Sequence, residues 1–423
     1  MYSSCEPCLK ILSRFHAGEA IFLLEKIGDK ETHMNQEWYD ALVVGAGVVG
    51  CATAYHLTKA GLRVALLDKG SVAGEASQAA AGMLTPLAET GISDQDHPSL
   101  QLCLAGLRYY DGLDRRLKDE TGIDIELVDA PTLRPAFNEH EVEELKMEMR
   151  VQQHLLPGLQ WLEGKVAREA EPLLPPTVQG AILSLRERNV QITRITQAYA
   201  RGAALYGARI FEGRTVDRFI RQGQRVIGVE TAVGPVRAET VVLATGAWAS
   251  TWHKSTEKPP IFPVKGQMIA LRTAPHIRLR HTIFSHKLGY ILPKADGSIY
   301  VGATSEFAGF DKTVTVEGVA ALLSVAMKIA PELKNARFER GWAGLRPGSA
   351  DDLPLLGPSS SLPGLWIAGG HFRTGTLLGP LTGYILTELI QRRPTPFGLD
   401  LSAFNPDRFG GWDGNSTATD IQR

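Results

Sequence analysis

The sequence predicts an α/β fold in which a Rossmann-like domain is interleaved along the chain with a second domain built on an antiparallel sheet. The chain of 423 residues exceeds the usual size of one hydrophobic core. A glycine-rich turn follows the short apolar run 41–44, and a second apolar run ends at Asp68. Further apolar clusters at 268–271, 290–293 and 299–303 have the turn residues of hairpins between them. We therefore expect two domains that share the chain between them.

The glycine-rich turn contains Gly45, Gly47 and Gly50. Glycines at this spacing let the backbone turn tightly, approach a pyrophosphate and pack a helix against the preceding strand. The first amides of that helix then face the phosphate charge. Asp68 ends the second strand roughly 20 residues later, where a carboxylate accepts hydrogen bonds from ribose hydroxyls, which disfavours NADP. The motif alone leaves NAD and FAD as alternatives.

Composition excludes several classes of partner. Lys and Arg total 45 against 46 for Asp and Glu, and no long basic run occurs, which argues against nucleic acid or an anionic membrane. No apolar stretch is long enough to span a bilayer. Four cysteines, Cys5, Cys8, Cys51 and Cys103, do not make a disulfide framework, which predicts a reducing cytoplasm. Cys5 and Cys8 lack a second pair or a nearby His cluster, so no metal is expected.

The two ends of the chain are expected to lie outside the domains. Residues 1–36 precede the first strand, and charged residues interrupt their apolar positions, unlike a secretory signal. Met34 is a candidate for the true start of translation. Residues 399–423 are rich in Gly, Asn, Asp and Thr and are predicted to form a tail.

Between these ends the elements follow in order. Small residues over 76–84 permit close approach to a flat ligand, or alternatively form a helix start capped by Ser77. Helices are predicted over 98–122 and 190–207, and a β-meander with turns at Gly223 and Gly234 ends in the small-residue turn 243–248.

The second domain is then expected to contain the three strand clusters, with an Asp296-Gly297 hairpin turn and a helix over 314–330. A strand, a glycine turn and a final helix begin at Gly364.

Seven motifs follow one another in an order typical of one superfamily. They are Gly45-Ala-Gly-Val-Val-Gly50, Ala79-Ala-Ala-Gly-Met-Leu84, Ala244-Thr-Gly246, Val264-Lys-Gly-Gln267, Val301-Gly-Ala-Thr304, Trp342-Ala-Gly-Leu-Arg-Pro-Gly348 and Gly370-His-Phe-Arg-Thr-Gly375. With them, the chain from Asp40 to about Leu389 resembles the flavin-dependent amino-acid oxidase superfamily, and within it the glycine oxidases of thiamine biosynthesis most closely.

The resemblance implies a glutathione-reductase-type FAD-binding domain over 37–96, 186–250 and 335–398. The substrate domain of amino-acid oxidase type would cover 97–185 and 251–334.

The resemblance also implies which residues contact FAD. The pyrophosphate would be contacted by Gly45, Gly47, Val48, Val49 and Gly50, the ribose by Asp68 and Lys69, and the adenine by Val216. The phosphates and ribityl chain would be contacted by Ala76 and Ser77, and the isoalloxazine by Ala81, Gly82 and Met83. The turn after the meander would contribute Thr245 and Gly246, and the flavin edge would be surrounded by His371, Phe372, Arg373, Thr374, Gly375, Thr376 and Leu377. Relatives with covalent flavin use a C-terminal cysteine. The last cysteine here is Cys103, so noncovalent FAD is expected.

Three residues are implied in substrate binding. Arg346 would take the substrate carboxylate, because a guanidinium binds a carboxylate with two parallel hydrogen bonds. Tyr290 would donate a hydrogen bond to it, and Arg373 matches a second arginine of the site. The alternatives are that Arg346 pairs with Asp351 or Asp352, that Tyr290 belongs to the core, and that Arg373 braces Tyr290 or the flavin turn. His371 is expected to be a backbone contact and not a general base.

The implied reaction is oxidative deamination of glycine and other small amines by hydride transfer to the flavin. The products would be an oxo acid, glyoxylate for glycine, with ammonia or an amine and hydrogen peroxide. Ser305 replaces a Met of a glycine oxidase, and Leu288 and Gly289 replace His and Cys, so glycine, sarcosine and small D-amino acids stay open as substrates. The resemblance further implies a homo-oligomer. Alternatives are a dehydrogenase donating to a quinone and a non-catalytic flavin-binding protein.

Overall fold

The computed structural model describes residues 38–87, 97–251 and 258–409. Predictions for residues 1–36, including Met34 and the Cys5–Cys8 pair, fall outside the described residues. The strands are β1 Trp38–Val44, β2 Val64–Leu67, β3 Met83–Leu84, β4 Thr132–Ala136, β5 Leu159–Glu163, β6 Gly180–Ser184, β7 Arg188–Asn189, β8 Arg209–Phe211, β9 Val216–Gln222, β10 Arg225–Thr231, β11 Gly234–Leu243, β12 Ile261–Arg272, β13 Thr282–Ser285, β14 Gly289–Pro293, β15 Ile299–Gly302, β16 Arg337–Ser349, β17 Leu355–Pro358 and β18 Leu365–Gly369.

The helices lie between these strands. They are α1 Val48–Lys59, α2 Ala76–Ala79, α3 Ser99–Tyr109, α4 Leu113–Thr121, α5 Glu139–Gln152, α6 Gly164–Ala170, α7 Ile192–Leu205, α8 Val316–Ile329 and α9 Gly375–Ile390, with short 3-10 turns at Gly246–Thr251, Pro331–Asn335, Pro396–Gly398, Ser402–Phe404 and Pro406–Phe409. None of the helices in the described part of the chain is long and apolar enough to cross a membrane.

The first sheet has the predicted Rossmann-like order. Strand β1 lies between β2 and β11 and runs parallel to both, and β8 and β18 extend the parallel arrangement on either side. Every residue of 41–44 is buried, because helices cover one face of the sheet and residues of the predicted meander, such as Val226 and Val229 of β10, pack on the other face. Helices α1 and α9 approach closely, since a Cβ at Gly383 would lie 2.5 Å from the Ala52 backbone. The parallel core predicted from the sequence is confirmed.

The second sheet runs in the order β16-β12-β15-β14-β13-β4-β6-β5. Its pairs are antiparallel except β13 with β4, which are parallel, so the sheet is mixed where a purely antiparallel one was expected. The predicted Asp296-Gly297 turn is present, with the Gly297 amide donating to the Lys294 carbonyl at 2.9 Å. Helix α8 packs Leu322 and Ile329 onto the sheet, as the apolar spacing of 314–330 predicted.

The chain is divided between the two sheets differently from the sequence expectation. Strand β16 pairs along almost its whole length with β12, so residues 337–349 lie in the second sheet and not with the rest of 335–398. Helices α3 and α4 pack into the core of the first sheet through Leu100 and Leu117, although 97–185 was assigned to the substrate domain. The single helix predicted over 98–122 is two helices, because Gly112 adopts φ +72° between them.

The segment after residue 398 is also packed where a tail was predicted. Phe404 is 1% exposed within the core of the first sheet. Arg408 donates two hydrogen bonds of 2.8 Å to the Asp351 carboxylate. Residues 399–409 are therefore part of the folded unit, and the remainder of the predicted tail lies outside the described residues.

Candidate functional site

A cavity of about 1180 Å³ extends from the glycine-rich turn of the first sheet to the strands of the second. At one end it is lined by the turn before α1, the end of β2 and the start of β9. At the other end it is lined by β14, β16 and the residues after β15. Its size and elongated course suit a dinucleotide together with a small molecule.

The glycine-rich turn brings the start of α1 to the cavity wall. Gly45 has φ +106°, and a Cβ there would lie 2.7 Å from the Ala244 carbonyl carbon, so a side chain is excluded. A Cβ at Gly50 would overlap the carbonyl oxygen of Gly45, which explains the close packing of α1 on β1. The first amide of α1, that of Val48, donates to Ser77 Oγ at 2.9 Å. Ser77 therefore caps α1, where the sequence alternative had it capping its own short helix.

Asp68 is held rigidly at the end of β2. Its Oδ2 accepts from the Ala46 amide at 2.6 Å and its Oδ1 from the Gly70 amide at 2.7 Å. Each oxygen keeps a second lone pair, and the residue lines the cavity, so the carboxylate can still accept from a ribose hydroxyl. Lys69 stacks its ammonium 3.9 Å from the centre of the Trp248 ring, and burial lowers the pKa of this lysine.

The turn after β11 carries a polar atom with no protein partner among the described residues. Thr245 Oγ1 is buried and forms no hydrogen bond within the part of the chain that the structure describes. Buried hydroxyls are nearly always satisfied, so this one is suited to a ligand in the cavity. Gly246 and Val216 line the wall beside it.

Two side chains of the second domain hold the small-residue segment that lines the middle of the cavity. Trp342 Nε1 donates to the Ala79 carbonyl at 3.0 Å. Lys294 Nζ donates to the carbonyls of Ala81 at 3.2 Å and Val190 at 2.9 Å, and burial lowers the pKa of Lys294 to about 8. Lys294 was not among the residues predicted for the site. The available signal was a lysine directly after the apolar strand β14.

The turn before α9 closes the cavity on its remaining side. His371 is buried there and its Nε2 lies 2.9 Å from Thr382 Oγ1, and burial lowers the pKa of the ring to about 4. The ring is directed into α9, which agrees with the expectation that His371 is not a base. The Phe372 amide donates to the Pro347 carbonyl at 2.8 Å, so this turn is tied to β16.

Arg346 reaches the cavity because its neighbour on β12 has no side chain. Arg346 pairs with Val264 across β16 and β12, and its guanidinium lies over Gly266. A Cβ at Gly266 would be 2.6 Å from Arg346 Cζ. Arg346 Nη1 donates to the Thr304 carbonyl at 3.1 Å. The alternative pairing with Asp351 or Asp352 is not among the ion pairs of the described residues, and the Asp351 carboxylate accepts from Arg408.

Tyr290 is placed in the same way on the neighbouring strand. It pairs with Gly302 of β15, where a Cβ would lie 2.7 Å from Tyr290 Cε2. The Tyr290 ring stacks on Phe284 with centroids 6.4 Å apart, and its hydroxyl donates weakly to Met268 Sδ at 3.7 Å. Half-buried Tyr290 packs against Phe284 and also lines the cavity. Arg373 is exposed at the cavity wall.

The cavity brings together most of the residues predicted for the site. Those that line it are Gly45, Gly47, Val48, Val49, Asp68, Lys69, Ala76, Ser77, Ala81, Gly82, Met83, Val216, Thr245, Gly246, Tyr290, Arg346, His371, Phe372, Arg373, Gly375 and Thr376. Gly50, Thr374 and Leu377 are not among the lining residues, and Gly50 serves the packing of α1 instead. The prediction did not include Trp248, Met268, Phe284 or His286, which also line the wall.

Comparison with known proteins finds close similarity over most of the chain. The FAD dependent oxidoreductase family model matches residues 40–389. A glycine oxidase of Geobacillus kaustophilus (strain HTA426) is 35% identical over 372 residues, which cover 88% of this chain and 97% of the relative. The bifunctional protein ThiO/ThiG of Trichormus variabilis is 33% identical over 374 residues, 88% of this chain and 55% of that protein. The crystal structure of glycine oxidase from Geobacillus kaustophilus superposes with a TM-score of 0.82 at 33% identity, covering 88% of this chain and 99% of that one.

Proposed function

This chain belongs to the FAD-dependent oxidoreductase family, and from that membership and the geometry of its cavity we propose that it oxidises glycine. Its cofactor is FAD, and it is an enzyme of the amine and amino-acid oxidase type. In the proposed reaction glycine, water and oxygen give glyoxylate, ammonia and hydrogen peroxide. The bound FAD would supply the hydride acceptor and pass the electron pair to oxygen.

The cavity residues fit FAD along its whole length. The turn at Gly45 and Gly47 and the N-terminal end of α1 would lie against the pyrophosphate, and Asp68 would accept from the ribose. The hydroxyl of Thr245 would find its missing partner on the cofactor. The segment 79–83, fixed by Lys294 and Trp342, would lie along the isoalloxazine.

The observation that carries the proposal is the pair formed by Arg346 and Tyr290 in the cavity that contains the nucleotide turn. The guanidinium would hold both oxygens of the substrate carboxylate, and the tyrosine hydroxyl would donate a hydrogen bond to one of them. Phe284 and Met268 close this end with apolar surface. A carboxylate fixed at two points leaves the α-carbon of a small amino acid in one orientation, and such positioning supplies much of the catalysis expected here.

Three lining residues govern how large the amine can be. Ser305, Leu288 and Gly289 all line the substrate end of the cavity. Since Ser305 and Gly289 are small, we propose that sarcosine and small D-amino acids are accepted beside glycine.

The sequence resemblance also supports a place in thiamine biosynthesis, where the glycine imine would be used for thiazole formation. The similarity to the bifunctional protein ThiO/ThiG of Trichormus variabilis agrees with this proposal. Noncovalent attachment of FAD, a homo-oligomeric state and a cytoplasmic location remain predictions.

The test is to purify the yellow holoprotein and add glycine in the absence and then in the presence of oxygen. We expect the flavin absorbance to bleach without oxygen and to return with oxygen, with one peroxide released per glycine consumed. Bleaching that persists in air would favour the dehydrogenase alternative. A flavin spectrum unchanged by glycine, sarcosine and D-alanine would contradict the proposed function.

A further inference from the structure

We propose that Glu306 is a positioning residue that holds Arg346 in its carboxylate-binding orientation, acting through Thr304 from the opposite side of the second sheet. The inference rests on the proposed role of Arg346. It adds to the site a network of Lys265, Gln267, Thr304 and Glu306, in which Lys265 and Gln267 are buried and Glu306 is partly exposed.

Arg346 contacts Thr304, which lies two residues beyond the end of β15. The Thr304 carbonyl accepts a hydrogen bond from Arg346 Nη1 at 3.1 Å. The flat surface of Gly266 supports the guanidinium but offers it no side-chain hydrogen bond. The direction of the guanidinium fork therefore depends on where the Thr304 carbonyl lies.

Three hydrogen bonds hold Thr304 in place. Its amide donates to the Gln267 carbonyl at 3.2 Å, and the Gln267 amide donates to Thr304 Oγ1 at 2.8 Å. Thr304 Oγ1 in turn donates to Glu306 Oε1 at 2.5 Å. The Thr304 hydroxyl thus donates a hydrogen bond to Glu306 while its oxygen accepts one from the Gln267 amide, and the two partners together fix the rotamer of Thr304.

The remaining feature is the charge on Glu306. Its Oε1 also accepts from Gln267 Nε2 at 2.7 Å, and its Oε2 lies 3.1 Å from Lys265 Nζ. Lys265 is 2% exposed and Gln267 1% exposed, so the ammonium depends on the carboxylate as its counter-charge. Burial alone would raise the pKa of Glu306, but the donors Thr304, Gln267 and Lys265 outweigh it and lower the pKa below its ordinary value. The carboxylate is thus ionised, and its two oxygens accept from three donors, those of Thr304, Gln267 and Lys265.

This arrangement makes a specific prediction for Glu306→Gln. A glutamine has one acceptor oxygen, and the buried Lys265 ammonium competes for it more strongly than the neutral donors do. Thr304 then loses its acceptor, its carbonyl shifts, and Arg346 loses its orientation. Replacing Lys265 as well, in Lys265→Met with Glu306→Gln, removes the competitor, so the glutamine oxygen can return to Thr304 and Gln267.

The experiment measures binding of acetate, a carboxylate without an amine, to the FAD-loaded protein through the change in flavin absorbance. Glycine KM, the limiting rate of flavin reduction and the affinity for FAD are measured on the same samples. Glu317→Gln is the matched control, since Glu317 is exposed at the start of α8 and precedes Gly318, which lies against the Gln267 side chain. We expect Glu306→Gln to weaken acetate binding and raise the glycine KM by about tenfold or more, which corresponds to 1.4 kcal/mol or more. The limiting reduction rate and FAD affinity should stay within about twofold, and the double variant should regain most of the acetate affinity.

Unchanged acetate binding in Glu306→Gln, or equal loss in the double variant, would overturn the inference. A parallel fall in FAD affinity and limiting rate would also overturn it, because that pattern indicates a general structural role. If the wild-type protein itself binds no acetate, the failure lies with the carboxylate role of Arg346, and the inference falls with it.

Discussion

Replacing Arg346 by alanine should remove the carboxylate clamp while leaving the cofactor bound. The guanidinium would form two charge-assisted hydrogen bonds to the substrate, each contributing about 1.5–3 kcal/mol. Arg346 is half-buried, so screening by water favours the lower part of this range. We expect a loss of about 3 kcal/mol in transition-state stabilisation, which is more than about a hundredfold in kcat/KM. FAD affinity should change little, because the residues that would hold the dinucleotide lie on other elements.

The assay is steady-state peroxide release from glycine together with anaerobic flavin reduction, compared with Arg337→Ala. Arg337 lies on the same strand, is 73% exposed and pairs with Glu339, so its removal alters the charge of β16 without touching the cavity. Near-normal kcat/KM in Arg346→Ala, or an equal loss in Arg337→Ala, would refute the assignment of the clamp.

Four other outcomes follow from the geometry. Gly266→Ala should displace the Arg346 guanidinium and cost about 1–3 kcal/mol of substrate binding through overpacking, measured as a rise in glycine KM. Thr245→Val should weaken FAD binding by about 2–10-fold, because one hydrogen bond of about 0.5–1.5 kcal/mol is lost, measured by flavin fluorescence titration. Burial lowers the pKa of His371 to about 4 and that of His56 to about 3, both from 6.5. As the pH falls, these histidines are protonated in the unfolded chain before they are protonated in the folded protein. The free energy of unfolding should therefore decrease as the pH is lowered from about 6.5, by up to about 1.4 kcal/mol per pH unit for each histidine, measured by denaturant titration. Acid precipitation should leave the yellow colour in the supernatant, since the FAD is expected to be noncovalent.

Each of these has its control. Gly341→Ala, on the same strand as Arg346 and with no other atom closer than 3.4 Å to the added Cβ, tests whether an added methyl group alone raises KM. A Thr245→Val protein whose apo form is much less stable would show that the hydroxyl has a structural role instead. His56→Gln should flatten the pH dependence of stability, and an unaltered slope would remove that histidine from the explanation. Colour retained in the acid pellet would contradict noncovalent binding.

Local patterns predicted the core of the fold. The strand 41–44, the glycine turn and the meander with turns at Gly223 and Gly234 need only short-range signals, and all are present. Residues 337–349, which form β16, were expected in the FAD-binding domain but lie in the second sheet. These residues would suit either sheet, and only the long pairing with β12 decides between them. Phe404 is similar, since one apolar residue in a polar segment does not show that it is buried.

The functional site, like the fold, had some features that local sequence patterns predicted and others that they did not. Arg346 was predicted from a motif and Tyr290 from the family resemblance, and both line one cavity. The two side chains can extend into the cavity because Gly266 and Gly302 on the neighbouring strands have no side chains. Which residues face each other across the strands depends on the register of the sheet, and the spacing of residues along the chain does not encode it. Lys294 was missed because its partners are carbonyls far away in the sequence.

The central claim is that FAD lies in the cavity with Arg346 facing its reactive ring. The most direct measurement is a crystal structure of the holoprotein with acetate bound. We predict that the dinucleotide lies along the turn at Gly45 and that the acetate oxygens accept two hydrogen bonds from Arg346 on the flavin side of β16. An acetate bound elsewhere, or an Arg346 guanidinium turned away from the isoalloxazine, would contradict it.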